Sequence, residues 1–314
     1  MEFSLILPAY NTSAYLADCV LSCENQDLDH SQYEIIIVND GSTDSTIDVA
    51  QKLSERYTNI RIISQDNKGL SMARNNGAAI AHGRYIWFID SDDKISQNCL
   101  NGILKILHEN DLDMFGVAPS IPFKSQFPDD INYDLDITNV VSGRDWLLSG
   151  KSFIGAWAYV IKTDFWRKQK FQFYPGLYFE DTELMPKVQF KASRIASFDT
   201  FSCYNYIQRA GSIMHSEMST KKLFDISRII NSHYKFITEN LKEDKLIAQI
   251  FEKGRTSSYL AAINAIAKKK DKQLLSEWLV TLINRPKMIC ATNPLKKLYQ
   301  WFILKHPAIY CSIR

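Results

Sequence analysis

Over its first 120 residues the chain alternates between two periods, and no other feature narrows its fold as far. Short apolar runs rich in β-branched residues stand at Phe3–Leu7, Glu34–Val38, Ile60–Ile63, Tyr85–Ile89 and Asp113–Val117. Between them, Ala14–Cys23, Thr43–Arg56, Leu70–His82 and Gln97–Glu109 carry apolar residues at helical spacing. A strand that is apolar throughout must be covered on both faces, and helices between successive strands supply that cover. The expectation is an α/β fold with a mainly parallel, Rossmann-like sheet. In such a sheet, ligands bind beyond the carboxyl ends of the strands. The segments at those ends read PAYN, NDGSTDST, SQDNKGLSMARN and DSDD, which are polar and rich in carboxylates.

The remainder is organised differently. Residues 119–141 are rich in Pro and Asp and weakly periodic, which predicts an irregular excursion. From 142 to 210, short strands and helices resume among dense aromatic residues. Beyond 219 the spacing is helical, at Lys222–Thr238, Lys245–Ala267 and Leu274–Ile283. The expected division is a catalytic domain over 1–215, with a donor half of about 1–118 and an acceptor half of about 142–215. A helical region over 216–314 follows.

Charge separates these parts. The chain as a whole has 37 basic and 35 acidic residues, too balanced for a dedicated nucleic-acid binder. Residues 215–314 alone hold 18 Lys and Arg against 8 Asp and Glu, a basic tail on an acidic body. Six cysteines without a C-x-x-C pair suit neither a disulfide framework nor a zinc site, and Cys19 and Cys23 read as buried thiols on a helix. The start MEFSLILPAY has no basic n-region, and no run of about 18 apolar residues exists to span a bilayer. A cytoplasmic protein is expected, peripheral on the inner face of the cell membrane. The final segment gathers Leu295, Leu298, Tyr299, Trp301, Phe302, Ile303 and Leu304 beside Lys296, Lys297 and Lys305. That pattern suits a helix lying in an anionic membrane surface, at about 1 kcal/mol per basic residue, or a terminal helix packed on its own domain. The apolar set is wider than one packing stripe, which favours the membrane.

Three segments carry chemistry. In DSDD, Asp90–Asp93, three carboxylates in four positions repel one another, and a hard divalent cation such as Mn2+ or Mg2+ relieves the conflict; a solvated turn leading into a helix near Ile95 has the same composition. In NDGSTDST, Gly41 permits a tight turn, Ser42, Thr43 or Asp44 can cap a helix, and Asp40 can accept from a base N–H or a ribose hydroxyl. NKGLSMARNNG offers backbone amides at a helix start, with Lys68 and Arg74 as cations for a phosphate. Neither G-x-G-x-x-G nor G-x-x-x-x-G-K-[ST] occurs, so dinucleotide-binding and P-loop readings fall away.

SLILPAYN, EIIIVNDGSTDST, DNKGLSMARNNG and GRYIWFIDSDD, in this order and spacing, closely resemble the family 2 nucleotide-sugar glycosyltransferases, and GLYFEDTELMPK is similar to that family's second acidic element. The resemblance covers about residues 3–215 and implies a GT-A fold and an inverting, metal-dependent sugar transfer from a nucleotide-sugar donor, a UDP-sugar, to a glycan or lipid-linked acceptor in surface polysaccharide synthesis. It implies a base pocket of Pro8, Ala9, Tyr10 and Asp40 with Asn67 and Gly69 nearby, Asp90 with Ser91 on the ribose side, and Asp92 on the metal. It gives the general base to Asp181, with Glu180 second in line. Trp157 would stack on the acceptor sugar, and His215 would reach the metal or diphosphate. A sugar hydroxyl needs a carboxylate to take its proton and a diphosphate needs a cation to leave, so two acidic stations suit the reaction. Two other readings stay open on the residues alone. A nucleotidyltransferase would carry a Gly-rich basic loop where PAYN stands. A non-catalytic, membrane-associated module with a degenerate domain sits poorly with intact DSDD and ED pairs.

Overall fold

The first strand, β1 (Phe3–Ala9), is buried along its whole length, and the amino-terminal sheet grows outward from it. In the computed structural model, which describes residues 1–117, 137–199, 202–207 and 217–313, the chain forms two compact units, Met1–Arg209 and Ala210–Arg314. In the first, α1 (Leu16–Glu24), β2 (Tyr33–Asp40), α2 (Thr46–Arg56), β3 (Ile60–Gln65), α3 (Leu70–Ile80) and β4 (Tyr85–Phe88) follow in strict alternation. The strands β3, β2, β1 and β4 lie side by side in that order, all parallel. The chain lays β2 and β3 on one side of β1 and then crosses to its other side for β4. That reversal opens a crevice at the carboxyl ends of β1 and β4, where ligands of open α/β sheets bind. The register Ile6↔Phe88 sets Pro8 level with Asp90. Gly77 lets α3 seat closely: a Cβ there would stand 2.4 Å from Ile6 Cγ2.

Beyond β4 the sheet becomes mixed. After β5 (Lys94–Ile95), α4 (Leu100–Glu109), β6 (Met114–Gly116), α5 (Gly143–Ser149) and β7 (Tyr159–Lys162), the chain forms α6 (Thr163–Lys168), α7 (Glu180–Lys191), β8 (Ile195–Ser197) and β9 (Tyr204–Asn205). β7 pairs antiparallel with both β4 and β6, and β8 closes the seven-stranded order β3-β2-β1-β4-β7-β6-β8. The mixed, mainly parallel sheet is the one expected. Cys19 and Cys23 are fully buried thiols. Of the irregular excursion, Ile137 bridges to Phe198 and Val141 to Ile195, and residues 118–136 lie outside the described residues.

One expectation near the site is corrected. The helix placed near Ile95 starts at Leu100, and Lys94–Ile95 pairs instead with Asn205 and Tyr204. The cause is a side chain from elsewhere. Gln26 Oε1 accepts from the backbone N–H groups of Cys99 and Leu100 at 2.9 and 3.2 Å, satisfying donors that a helix start leaves open. The segment between DSDD and that cap is thereby left to pair as a strand.

The second unit is helical: α8 (Thr220–Asn240), α9 (Lys245–Lys269), α10 (Lys272–Val280), α11 (Pro294–Lys305) and α12 (Pro307–Ile313). Ser219, Asp244, Asp271 and Asn293 each accept a first-turn N–H, which sets where α8 to α11 begin. Arg255, almost fully buried, donates to the carbonyls of Ile230 and Asn284, and Trp278 Nε1 donates to Leu223, so α9 and α10 are tied to α8. Among the described residues no helix is long and apolar enough to cross a membrane.

Candidate active site

The carboxyl ends of β1, β2 and β4 bring together most of the residues singled out from the sequence. Pro8 and Ala9 are buried at the end of β1, and Tyr10 stands half in solvent beside them. At the end of β2, Asp40 Oδ1 accepts from the N–H of Lys68 at 2.8 Å and from Gln65 Nε2 at 2.6 Å, and Oδ2 accepts from the N–H of Gly69 at 2.8 Å. The carboxylate expected to meet a base is thus the clasp of the loop that carries Asn67 and Gly69. Gly41 follows at φ +68°, and a Cβ there would lie 2.7 Å from the Asn67 backbone nitrogen, so only glycine lets the two loops touch.

The centre of the site is Arg74, in the first half of α3 and 1% exposed. One terminal nitrogen donates to Glu180 Oε1 at 2.6 Å and Asp181 Oδ1 at 2.8 Å, and the other donates to Asp90 Oδ1 at 2.8 Å. Its guanidinium lies over the Phe173 ring, 5.3 Å from the centroid. Next to it, Asn75 exchanges two hydrogen bonds with the Phe173 backbone, fixing the segment that leads to α7. The sequence reading gave Arg74 to a phosphate; here both of its terminal nitrogens are committed to carboxylates. Asp181 is also held from the other side, its Oδ2 accepting from the Ala156 N–H at 3.1 Å. Phe179, just before Glu180, adopts φ +62° and ψ +37°. A bulky residue in the left-handed region costs on the order of 1–3 kcal/mol and marks a site where position matters more than ease of folding.

Burial is the main electrostatic influence here. It raises the proton affinity of Glu180 and of Asp181; Asp181 adds to the rise at Glu180, while Arg74 opposes it at both. Arg74 remains a cation: burial works against its charge, and Asp181, Asp90 and Glu180 outweigh it. Asp93 behaves differently from its neighbours in DSDD. It is fully buried, accepts from Tyr204 Oη at 2.7 Å and from the Ile207 N–H at 2.8 Å, and is pushed up to about 8 by burial and by Asp90. Asp93 is therefore a structural carboxyl that ties DSDD to β9. Ser91 is buried with its hydroxyl on Thr12 Oγ1, and Asp92 is half-buried.

The carboxylates here have the chemistry for a cation that brings phosphate oxygens of its own. Asp90 faces Arg74, Asp93 is turned inward, and Asp92 would supply a hard oxygen at the strand end. Among the described residues no three His, Cys, Asp or Glu side chains form a closed metal cage. Mg2+ characteristically takes one or two protein carboxylates and completes its shell with phosphate and water.

One expectation reads differently in the structure. Trp157, expected as an open stacking platform, is 7% exposed: its ring stacks on Tyr204 at 4.4 Å and 19°, and its carbonyl accepts from Trp87 Nε1. It supports the backbone that presents Ala156 to Asp181. His215 lies outside the described residues. Sequence reasoning missed Ala156, Phe173, Asn75 and Tyr204, whose roles depend on backbone groups and ring faces that carry no pattern.

Residues 4–186 match the profile described as glycosyl transferase family 2. The Escherichia coli K12 glycosyltransferase YibD is 30% identical over 288 residues, which cover 86% of this chain and 80% of that protein. Among solved structures, Staphylococcus aureus TarS 1–349 in complex with UDP matches with a TM-score of 0.72 at 18% identity, covering 97% of this chain and 90% of that one. The mannosyltransferase PcManGT from Pyrobaculum calidifontis, in complex with GDP-Man and Mn2+, matches with a TM-score of 0.57 at 13% identity over 99% and 86%. At these identities the likeness of the structures speaks to the GT-A fold.

Proposed function

The chain belongs to glycosyl transferase family 2, and on that footing we propose that it moves a sugar from a UDP-sugar to a hydroxyl of a glycan or lipid-linked acceptor in surface polysaccharide synthesis, inverting the anomeric carbon in one displacement. The observation that carries this reading is the Arg74 cluster. One buried cation gathers Asp90, from the end of β4, and the Glu180–Asp181 pair, from the start of α7, into a single hydrogen-bonded group. A donor-side carboxylate and a base-side carboxylate then stand within one side chain of each other.

In this reading Pro8, Ala9, Tyr10 and Asn67 line the base, Asp90 faces the ribose, and Asp181 is the general base. The acceptor oxygen attacks the anomeric carbon as Asp181 takes its proton, and the bond from that carbon to the diphosphate oxygen breaks with its electron pair on the leaving group. Burial lifts the proton affinity of Asp181 towards the working range of a base, and the Arg74 and Ala156 donors hold its oxygens in place. Asp92 would hold Mn2+ or Mg2+, which when bound neutralises charge on the diphosphate. The UDP reading draws on the neighbour solved with UDP. A lipid-linked acceptor would place the reaction at a membrane face, where the positively charged helical unit would make contact.

The test is a panel of nucleotide sugars with Mn2+ or Mg2+, read by release of nucleoside diphosphate and by the anomeric configuration of the product. UDP released from a UDP-sugar, with an inverted product, is expected. No release from any donor, or retention at the anomeric carbon, would overturn the proposal.

A further inference from the structure

Of the twelve residues of α11, only Ile303 is buried, although the helix is half apolar. Leu295 is 79% exposed, Leu298 63% and Trp301 42%. At about 100° per residue, Trp301, Leu298, Phe302 and Leu295 share an arc of about 120°, with Lys305 inside it and Lys297 on its flank beside Trp301. Ile303 points away from that arc. The helix is tied down on another side, where Tyr299 Oη meets Tyr310 Oη at 2.5 Å and Asn264 Oδ1 at 3.2 Å. Lys305 Nζ lies over the Trp301 ring, 5.0 Å from its centroid. The charge around this face is all of one sign. Residues 278–314 hold six Lys and Arg and no Asp or Glu.

An exposed apolar stripe edged by lysines, in a segment without acids, calls for an occupant that is apolar within and anionic at its rim. We propose that this face of α11 docks in the headgroup layer of an anionic bilayer, with Leu295, Leu298, Phe302 and Trp301 reaching the acyl boundary and Lys297 and Lys305 at the lipid phosphates. Lysine stems cover apolar surface while their ends stay at the polar boundary, which suits the position of Lys305 beside Trp301. A second copy of the chain is a poor occupant, because its own α11 face would set lysines against lysines. The purpose of this surface rests on the proposed lipid-linked acceptor, but the binding itself does not.

The experiment is flotation of the full chain with vesicles of phosphatidylcholine alone or mixed with phosphatidylglycerol. Binding is expected only to the anionic vesicles and weakens as salt rises, since screening shortens the reach of the lysines. Leu298→Asp/Trp301→Asp should lower binding at least about tenfold. Lys297→Gln/Lys305→Gln should lower it about thirtyfold and flatten its salt dependence. Both variants change exposed side chains, and unchanged thermal melting and donor hydrolysis would show intact folds. Equal vesicle binding by wild type and either variant would overturn the proposal. So would the absence of binding by wild type, or a dimer in light scattering that the Leu298→Asp/Trp301→Asp variant abolishes. Vesicle binding without hydrolysis of any donor would count against the transferase reading and leave the docking surface standing.

Discussion

Replacing Arg74 by Met keeps the length of the side chain and removes the charge that three carboxylates share. Its contacts run from 2.6 to 2.8 Å, and the side chains of Glu180, Asp181 and Asp90 are 9, 20 and 25% exposed. A unit-charge pair about 4 Å apart at an effective dielectric of about 20 is worth about 4 kcal/mol before desolvation is counted. Removing one partner of a buried ion pair costs about 3–5 kcal/mol, because the partner left behind is still buried. Arg74→Met should therefore lose about 3–5 kcal/mol at pH 8, measured by urea denaturation. The sign of the pH dependence follows. Without the cation, Glu180 and Asp181 hold protons still more tightly in the folded state than in the unfolded one, so the loss is largest at high pH and shrinks as pH falls. Turnover should drop about a hundredfold, as expected when a catalytic group is misplaced by about 1 Å. The acid limb of the pH–rate profile should move to higher pH, because a cation that favoured ionised Asp181 is gone. Arg74→Lys, with a point charge in place of a fork, should fall between Met and wild type. A stability loss under about 1 kcal/mol together with an unmoved acid limb would refute the argument that Arg74 organises the base.

Asp181→Asn should keep donor affinity and lose transfer by about 10²–10⁴ in single-turnover assays; loss of donor binding with the chemical step intact would move the role to Glu180. Asp92→Ala should abolish the response of turnover to Mn2+ titration while leaving thermal melting unchanged, since this half-buried carboxylate lies outside the apolar core. Asp93, with a folded value near 8 against about 4 in an unfolded chain, contributes its full stability below the unfolded value and loses it as pH rises towards 8. Between pH 6 and 9, wild type should therefore lose more stability in urea than Asp93→Asn does; parallel curves would count against a buried, protonated Asp93.

The strands β1 to β4 were legible because their information is local. A near-continuous apolar run such as Glu34–Val38 can satisfy itself only inside a sheet covered on both sides, and β2 extends that run by one residue at its start and two at its end. The loops at the carboxyl ends were legible for the same reason: once the strands are parallel, PAYN, NDGST and DSDD must lie together on one edge. The helix start after DSDD was not, since its cap comes from Gln26, about seventy residues earlier in the chain.

By itself, then, the sequence determined the parallel half of the sheet, the edge where chemistry would sit and the residue types available there, all of which follow from periods of two and 3.6 residues and from turn chemistry. Tertiary structure alone decided what those residues do for one another. Arg74 and Asp181 are 107 positions apart, and nothing in either segment signals that α3 and α7 bring them to 2.8 Å. The same holds for Trp157, whose type suggests a platform and whose stacking on Tyr204 makes it a support. Within DSDD, three identical carboxyls acquire different characters. Burial raises the proton affinity of Asp93, an ion pair holds Asp90, and Asp92 keeps partial contact with water, because depth and neighbours decide what a carboxyl does and residue type does not.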